Sequence, residues 1–379
     1  MIATAISLAG LLYGLDTGII ATTIAHESFQ DYMYGPGGEN SNIQGAIVSG
    51  YYAGSAIGAA SAAYCMDRIS RRWSLLFGAC VSVVGGILQA TAQNPGMMIA
   101  GRAFSGFSTG MVYAVAPVYL SEISPPENRA FLVGLKGLLN TFGSFLAGWI
   151  GYSGSFAVGD IQWRNYQTLM YNNLGYEGRQ ALLITALYGF MAFVGQALSI
   201  FSIADHWPRR RTVIIGNFTL AVLLAILTGL SKEFADGHNA DGSRAAIAFI
   251  FLFALAYSIF FNSINWVLVA EIFPLEMRAV GVGWSVFSQY LTAIWLSYAA
   301  SYAFDRIHWA FYFVFIGTNV FAGTMYYLFL PETNQLTLER IASAFGDEVA
   351  EPVAVDLNKK LEMDEYVEDV AHVEAQRKS

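Results

Sequence analysis

A carboxylate inside an apolar run is the first feature of this sequence that could carry chemistry. Asp16 lies in the stretch 2–24, which is otherwise free of charge and long enough to cross a bilayer. A charged side chain at the centre of a membrane helix costs about 2.5–3.5 kcal/mol on insertion scales. We therefore expect Asp16 to face other helices or water rather than lipid, where its carboxylate is a candidate for binding a proton.

Two charged motifs each occur twice, in the same order along the chain. The spacing D-x-x-x-R-R is found at 67–72 and again at 205–210, and E-I-x-P-x-E-x-R is found at 122–129 and again at 271–278. Two such echoes in one order indicate a duplicated unit with parallel halves. The charged positions of these motifs include Asp67, Arg71, Arg72, Glu122, Arg129, Asp205, Arg209, Arg210, Glu271 and Arg278.

The elements that must position these residues are membrane-spanning helices. The composition is 55% apolar and only 13% charged, whereas soluble domains carry about 25% charged residues. Runs of roughly the 20 apolar residues that a spanning helix needs fall near 2–24, 43–65, 74–92, 98–120, 131–156, 180–204, 212–231, 246–270, 280–303 and 308–330. The sequence therefore predicts an all-α membrane protein with about ten transmembrane helices.

The repeat predicts more helices than the chain has. One span precedes the first D-x-x-x-R-R motif and two spans follow the second E-I-x-P-x-E-x-R motif, so a complete unit would contain six spans. We expect five helices in 1–156, a shortened junction at 157–179, five helices in 180–345 and an acidic, disordered cytoplasmic tail at 346–379. The chain is thus interpreted as a twelve-helix design that lacks its middle pair.

Basic residues in the short loops predict the orientation of the chain. Placing the start inside puts eight Lys or Arg residues on the cytoplasmic side and five outside. Both three-residue basic clusters, at 68–72 and 209–211, then face the cytoplasm. We expect both termini to be cytoplasmic, in a multi-pass protein of the plasma membrane.

At these motifs the chain resembles a sugar porter of the major facilitator superfamily, of the fungal type. The segments 14–18 (GLDTG), 117–122 (PVYLSE) and 331–333 (PET) resemble the family's signatures, although Ser70 stands where the family's D-R-x-G-R-R motif has glycine. The resemblance implies a helical bundle with pseudo-symmetric halves. Helices six and seven are apparently missing, and 165–175 looks like a remnant of helix seven.

The resemblance also implies a partner for the buried acid. Arg102 is the expected partner of Asp16, and proton uptake on Asp16 would release Arg102 and favour the change of facing. The alternative is a permanent ion pair in a facilitative carrier.

Substrate recognition is expected from an aromatic ring and nearby amides. Trp266 is carried over from the family as the sugar-stacking residue, with Asn262, Gln289 and Tyr290 as polar neighbours. The alternative for Trp266 is an interfacial tryptophan, whereas helix-packing hydrogen bonds would explain the other three residues equally well. Asn140 and Lys136 on the fifth span are weaker candidates for sugar contact, and the alternative for Lys136 is that it snorkels to the inner membrane surface.

The charges of the repeated motifs are expected to form a latch that holds the inner side shut and breaks when that side opens. The expected pairs stay within each half: Glu122 and Arg129 with Arg71 and Arg72, and Glu271 and Arg278 with Asp205, Arg209 and Arg210. The alternative is that these charges only fix the orientation.

Several functions are excluded by what the sequence lacks. It has no basic surface for nucleic acid, no paired His or Cys spacing for a metal, and no nucleophile with its base. We therefore expect neither an enzyme nor a cofactor. The predicted function is carbohydrate transport by alternating access, with sugar:proton symport preferred, in a monomer whose partners are a sugar, protons and the lipid bilayer. The alternatives are a facilitative sugar carrier, a sugar sensor, and a truncated product that transports nothing.

Overall fold

The computed structural model describes residues 2–23, 27–35, 41–125, 128–158, 179–234, 240–274, 277–334 and 336. All regular secondary structure in these ranges is helical. The expected remnant of helix seven at 165–175 and the acidic tail at 346–379 lie outside them, as does nearly all of the junction at 157–179.

Within the described ranges, the first half of the chain contains five long helices and one short one. They are α1 (Ile2–Thr23), the short α2 (Glu27–Tyr34), α3 (Ser41–Arg68), α4 (Arg71–Ala90), α5 (Pro95–Ile123) and α6 (Arg129–Val158). The side chain of Asn94 caps α5 by accepting a 2.8 Å hydrogen bond from the Met97 amide. Pro95 occupies the first turn, where a backbone N–H group would have no partner within the helix, so the missing N–H group of proline costs nothing.

The second half begins with α7 (Arg179–Leu198), which continues into a π-helical turn (Ser199–Ile203). It then contains α8 (Arg209–Phe234), α9 (Ala240–Phe260), α10 (Ile264–Ile272), α11 (Arg278–Ile307), a 3₁₀ turn (His308–Phe311) and α12 (Tyr312–Phe329). The helices α9 and α10 form one span that is interrupted at 261–263.

The prediction of about ten membrane helices is confirmed. Seven segments of the described chain are long and apolar enough to cross a membrane by length and composition alone. The helices α1, α3 and α11 have 22, 28 and 30 residues, so they too are long enough to span. Counting the interrupted α9–α10 segment once gives ten.

Glycines set the position of α1 against α6. A Cβ at Gly10 would overlap the backbone carbonyl of Lys136, and a Cβ at Gly14 would overlap that of Asn140. The two backbones therefore touch, as small residues allow in membrane helices. This contact fixes Asp16 on α1 and Lys136 on α6 within one packed pair.

Helix α11 packs mainly on the first half of the chain. Its largest contact is with α3 and its next largest is with α5, whereas among the described second-half elements it makes more than marginal contact only with α10 and the 3₁₀ turn. The opposite face of α11 is uncovered, with Trp284 62% and Trp295 66% exposed. An apolar groove of about 460 Å³ runs along the start of this face, beside Phe273 and Met277.

Candidate functional site

A cluster of aromatic side chains, which we call the aromatic chamber, lies where the two halves meet. The Tyr13 and Tyr113 ring centroids are 4.5 Å apart, the Tyr113 and Trp266 centroids are 4.8 Å apart and perpendicular, and the Tyr52 and Tyr290 centroids are 6.4 Å apart. These rings come from α1, α3 and α5 of the first half and from α10 and α11 of the second. They pack against one buried cluster, so a solute held by them contacts both halves.

The chamber contains two of the four residues predicted to recognise the substrate. Trp266 is partly buried, just after the break between α9 and α10, and Tyr290 is buried among the tyrosines. Asn262 lies in the break itself, with its backbone carbonyl facing Gly137 of α6. Gln289 is exposed, and its position lies about 100° around α11 from that of the buried Tyr290. The structure therefore does not bring Gln289 to the chamber.

Lys136 is part of the chamber, which contradicts the alternative that it snorkels. The residue is only 2% exposed, and its Nζ lies 3.5 Å from the Tyr113 ring centroid and 4.3 Å from that of Trp266. Seven residues separate it from Arg129, which begins α6, so its backbone is about 10 Å inside the helix end. A lysine side chain is too short to reach the helix end from that depth. The position of Lys136 along its span was therefore the sequence signal against snorkelling.

Asp16 on α1 and Arg102 on α5 form an ion pair. Arg102 Nη1 lies 3.4 Å from both carboxylate oxygens of Asp16, and the Arg102 guanidinium stacks 4.1 Å from the centroid of Tyr51. The side chain of Arg102 is 3% exposed and that of Asp16 is 30% exposed. The carboxylate is therefore partly exposed, whereas the guanidinium is buried.

A buried carboxylate joins the two halves at the ends of the helices that carry the repeated motifs. Glu271 lies between two arginines: Arg129 Nη1 is 3.1 Å from its Oε1, and Arg209 Nη1 pairs with its Oε2. Glu271 is completely buried, and the arginine side chains are 5% and 1% exposed. Arg129 belongs to the first half, and the other two residues belong to the second. We call this set the Glu271 bridge.

Asp205 makes a second connection between the halves at the same end. Its carboxylate accepts hydrogen bonds from the amides of Ala130 (3.0 Å) and Phe131 (2.9 Å), in the first turn of α6. An acid there also interacts favourably with the helix dipole. Burial raises the pKa of the Asp205 carboxyl, while the two amides and Arg209 act in the opposite direction.

The expected pairing within each half is only partly right. Arg71 does pair with Glu122 at 3.1 Å, and Arg209 does pair with Glu271. Arg129 pairs across the halves instead of with the loop at 71–72, because Glu271 lies over the start of α6.

Four of the motif charges make no ion pair within the described ranges: Asp67, Arg72, Arg210 and Arg278. Arg278 is buried, but its guanidinium has no hydrogen-bond partner there. Arg210 donates to the Tyr327 carbonyl at 2.5 Å rather than to an acid. Asp67 and Arg72 are exposed.

Glu332, in the P-E-T segment that carries part of the family resemblance, has a structural role. Its carboxylate accepts hydrogen bonds from the amides of Arg209 (2.8 Å) and Arg210 (3.3 Å), the first two residues of α8. It therefore caps α8 as Asp205 caps α6. The P-E-T motif was the signal, although the helix that it caps is more than 120 residues away in sequence.

The described part of the chain offers no group of three or more His, Cys, Asp or Glu side chains that could hold a metal ion. The arrangement combines aromatic side chains from both halves, side-chain connections between the halves at one end, and a partly exposed carboxylate that is paired with Arg102.

The sequence matches the family described as "Sugar (and other) transporter" over residues 2–166 and 164–345. It is 25% identical over 448 residues to the MFS-type transporter criB of Aspergillus cristatus, covering 90% of this chain and 92% of that protein. It is 34% identical over 157 residues to a high-affinity glucose transporter of Kluyveromyces lactis, a match that covers 41% of this chain and 28% of the transporter.

Solved structures show the same fold. The proton:xylose symporter XylE, bound to a bromodeoxyglucose, superposes with a TM-score of 0.77 at 19% identity, covering 90% of this chain and 98% of that chain. The inward-open form of XylE from E. coli gives a TM-score of 0.65 at 19% identity, covering 90% of this chain and 99% of that chain. The predicted major-facilitator-type bundle is therefore confirmed.

Proposed function

Because this chain belongs to the sugar transporter family of the major facilitator superfamily, we propose that it carries a sugar or sugar-like solute across a membrane by alternating access, coupled to protons. The family is one of transporters rather than enzymes, so the activity requires no covalent step. The protein is a multi-pass membrane protein.

The observation that carries the proposal is the aromatic chamber shared by the two halves. A sugar ring presents C–H faces that pack on aromatic rings and hydroxyls that need polar partners, and sites of this kind lie between the repeats of transporters. Trp266 and Tyr290 come from the second half, and Tyr13 and Tyr113 come from the first. A solute bound by all four would move with neither half alone, as alternating access requires.

Proton coupling is proposed from the geometry of Asp16 and Arg102. With the carboxylate charged, the 3.4 Å contact holds Arg102. Protonation removes the attraction and leaves a buried guanidinium without its partner, which biases the bundle toward the other facing. A facilitative carrier, in which the pair stays intact throughout the cycle, is the competing proposal.

The Glu271 bridge supports a proposal about which side of the protein is closed. We propose that the motif-bearing ends face the cytoplasm, that both termini are cytoplasmic, and that the monomer works in the plasma membrane. In this orientation the buried bridge keeps the cytoplasmic side closed, and its rupture opens the chamber inward.

The test of transport is counterflow of labelled glucose in proteoliposomes that contain the purified full-length chain. We expect Trp266→Ala to reduce counterflow at least about 10-fold, since the ring that stacks on the sugar is lost. Trp295→Ala is the matched control, because this tryptophan is 66% exposed on the uncovered face of α11. Binding without counterflow would support a sensor or a non-transporting product instead, and equal effects of the two substitutions would contradict the assigned chamber.

The test of coupling uses an imposed pH gradient. Asp16→Asn should abolish gradient-driven accumulation while counterflow continues, because exchange needs no net proton movement. Asp241→Asn is the control, since the Asp241 side chain is 91% exposed and its pair with Arg244, at 3.3 Å, is exposed as well. Accumulation that survives in Asp16→Asn would favour the facilitative carrier or another proton site.

A further inference from the structure

The ammonium form of Lys136 has no anionic partner in the described part of the chain. The residue is 2% exposed, and its Nζ has no hydrogen-bond partner there. The two acids that could serve it are already engaged. Asp16 faces Arg102, and Glu271 is held between two arginines.

Aromatic rings compensate only part of the cost of burying this ammonium. Nζ lies 3.5 Å from the Tyr113 centroid and 4.3 Å from the Trp266 centroid, so it gains cation–π attraction from both rings. A desolvated cation normally requires an anion and hydrogen bonds in addition. The ammonium is therefore held in the binding chamber with its hydrogen-bonding capacity unused.

A polar acceptor with no partner lies one turn further along α6. Asn140 follows Lys136 by four residues, so the two side chains share a face of the helix. The Asn140 Oδ1 atom is buried and has no hydrogen-bond partner within the described ranges. One helix face thus presents an unused cation and, one turn away, an unused acceptor.

We infer that the solute carries a carboxylate, and that Lys136 binds it while Asn140 accepts a hydrogen bond from a nearby hydroxyl. The ligand class is an acidic sugar or another polyhydroxylated carboxylic acid. Its carboxylate neutralises the buried ammonium, and its C–H face packs on Trp266, the ring that also holds Nζ. The inference rests on the proposed transport function and specifies the substrate class of the same chamber.

A matched set of ligands tests this inference on the purified full-length protein. D-glucose, D-glucuronate and D-glucuronamide share one ring and differ at a single carbon, and only glucuronate is charged. We expect glucuronate to bind about 10-fold or more tightly than either neutral ligand in equilibrium dialysis, as a charge-assisted hydrogen bond would produce. Glucuronate should also raise the melting temperature of the protein more than glucose does.

Substitutions of Lys136 then test whether this residue causes the preference for glucuronate. Lys136→Arg keeps the charge and should keep the preference for glucuronate, whereas Lys136→Gln should bring the ratio of the two affinities to about 1. Lys136→Met should melt at a higher temperature than the wild type without ligand, because it removes a buried amine that has no hydrogen-bond partner among the described residues. If Lys136→Gln fails to fold, the ligand comparison on the wild type decides alone.

Different experimental results would overturn the inference and the proposed function. Glucose binding as tight as glucuronate binding, or a Lys136→Gln protein that still prefers glucuronate, overturns the carboxylate inference and leaves sugar transport standing. Binding of none of the three ligands, with counterflow also absent, overturns the proposed function and the inference with it.

Discussion

Replacing Arg129 by glutamine should shift the bundle toward the form that is open at its motif-bearing ends. Arg129 supplies the contact of the Glu271 bridge that crosses between the halves. The substitution removes this contact, while Arg209, from the same half as Glu271, still pairs with the carboxylate. The substitution therefore breaks the contact that must separate when the two halves move apart. Glu271 still has Arg209 as its partner.

The expected magnitude follows from the burial of the contact. A hydrogen bond to a charged group contributes about 1.5–3 kcal/mol, and exposed pairs contribute about 0.2–1 kcal/mol. The Arg129 and Glu271 side chains are 5% and 0% exposed, so the larger range applies. At about 1.4 kcal/mol for each factor of ten, the ratio of open to closed protein should rise about 10- to 150-fold.

Spin labels at 69 and 207 would measure this shift. Both positions follow the aspartate of a D-x-x-x-R-R motif by two residues, one in each half, and Ile69 and Trp207 are 55% and 45% exposed. Labels would be placed after replacing Cys65 and Cys80 by serine. Electron-spin distance measurements should show the longer distance gaining population in Arg129→Gln.

The control is Arg71→Gln, which breaks the pair with Glu122 inside the first half. That pair is 3.1 Å long, but its side chains are 30% and 25% exposed. Breaking it should change the distance distribution little. An unchanged distribution in Arg129→Gln, or an equal change in both variants, would refute the role of the bridge as a latch.

Two further predictions concern helix starts, each read out as a melting temperature in detergent. Ser70→Gly should stabilise the protein by about 1 kcal/mol. Ser70 precedes α4 at φ 93° and ψ 157°, a conformation that glycine adopts without strain. If the melting temperature does not rise, the backbone at Ser70 is not strained. Glu332→Ala should destabilise it by about 1 kcal/mol by removing the cap of α8, whereas the exposed Glu233 serves as the control for losing one acid.

The helices were predictable because each depends on local composition. A run of apolar residues crosses a membrane whatever its neighbours are, so the ten spans and the interior position of Asp16 follow from the sequence. The pair of Asp16 with Arg102 came from the resemblance, since 86 positions separate the two residues. The short helix α2 was missed because its sequence is polar and shorter than a span.

The partners within the motifs were not predictable in the same way. The sequence identifies Arg129 and Glu271 as charges on one side of the membrane, but a pairing 142 positions apart depends on how the halves dock. Lys136 was misjudged for a related reason. Its tyrosine and tryptophan come from α5 and α10, so no pattern within α6 reveals them.

The capping of α6 by Asp205 turns two backbone amides into reporters of motion. The amides of Ala130 and Phe131 belong to the first half, and the carboxylate that shields them belongs to the second. Each separation of the halves must uncap them and let water reach the first turn of the helix. Their exchange with deuterium would then count the opening events of the unlabelled protein, and a bound solute that slows the rocking should slow that exchange.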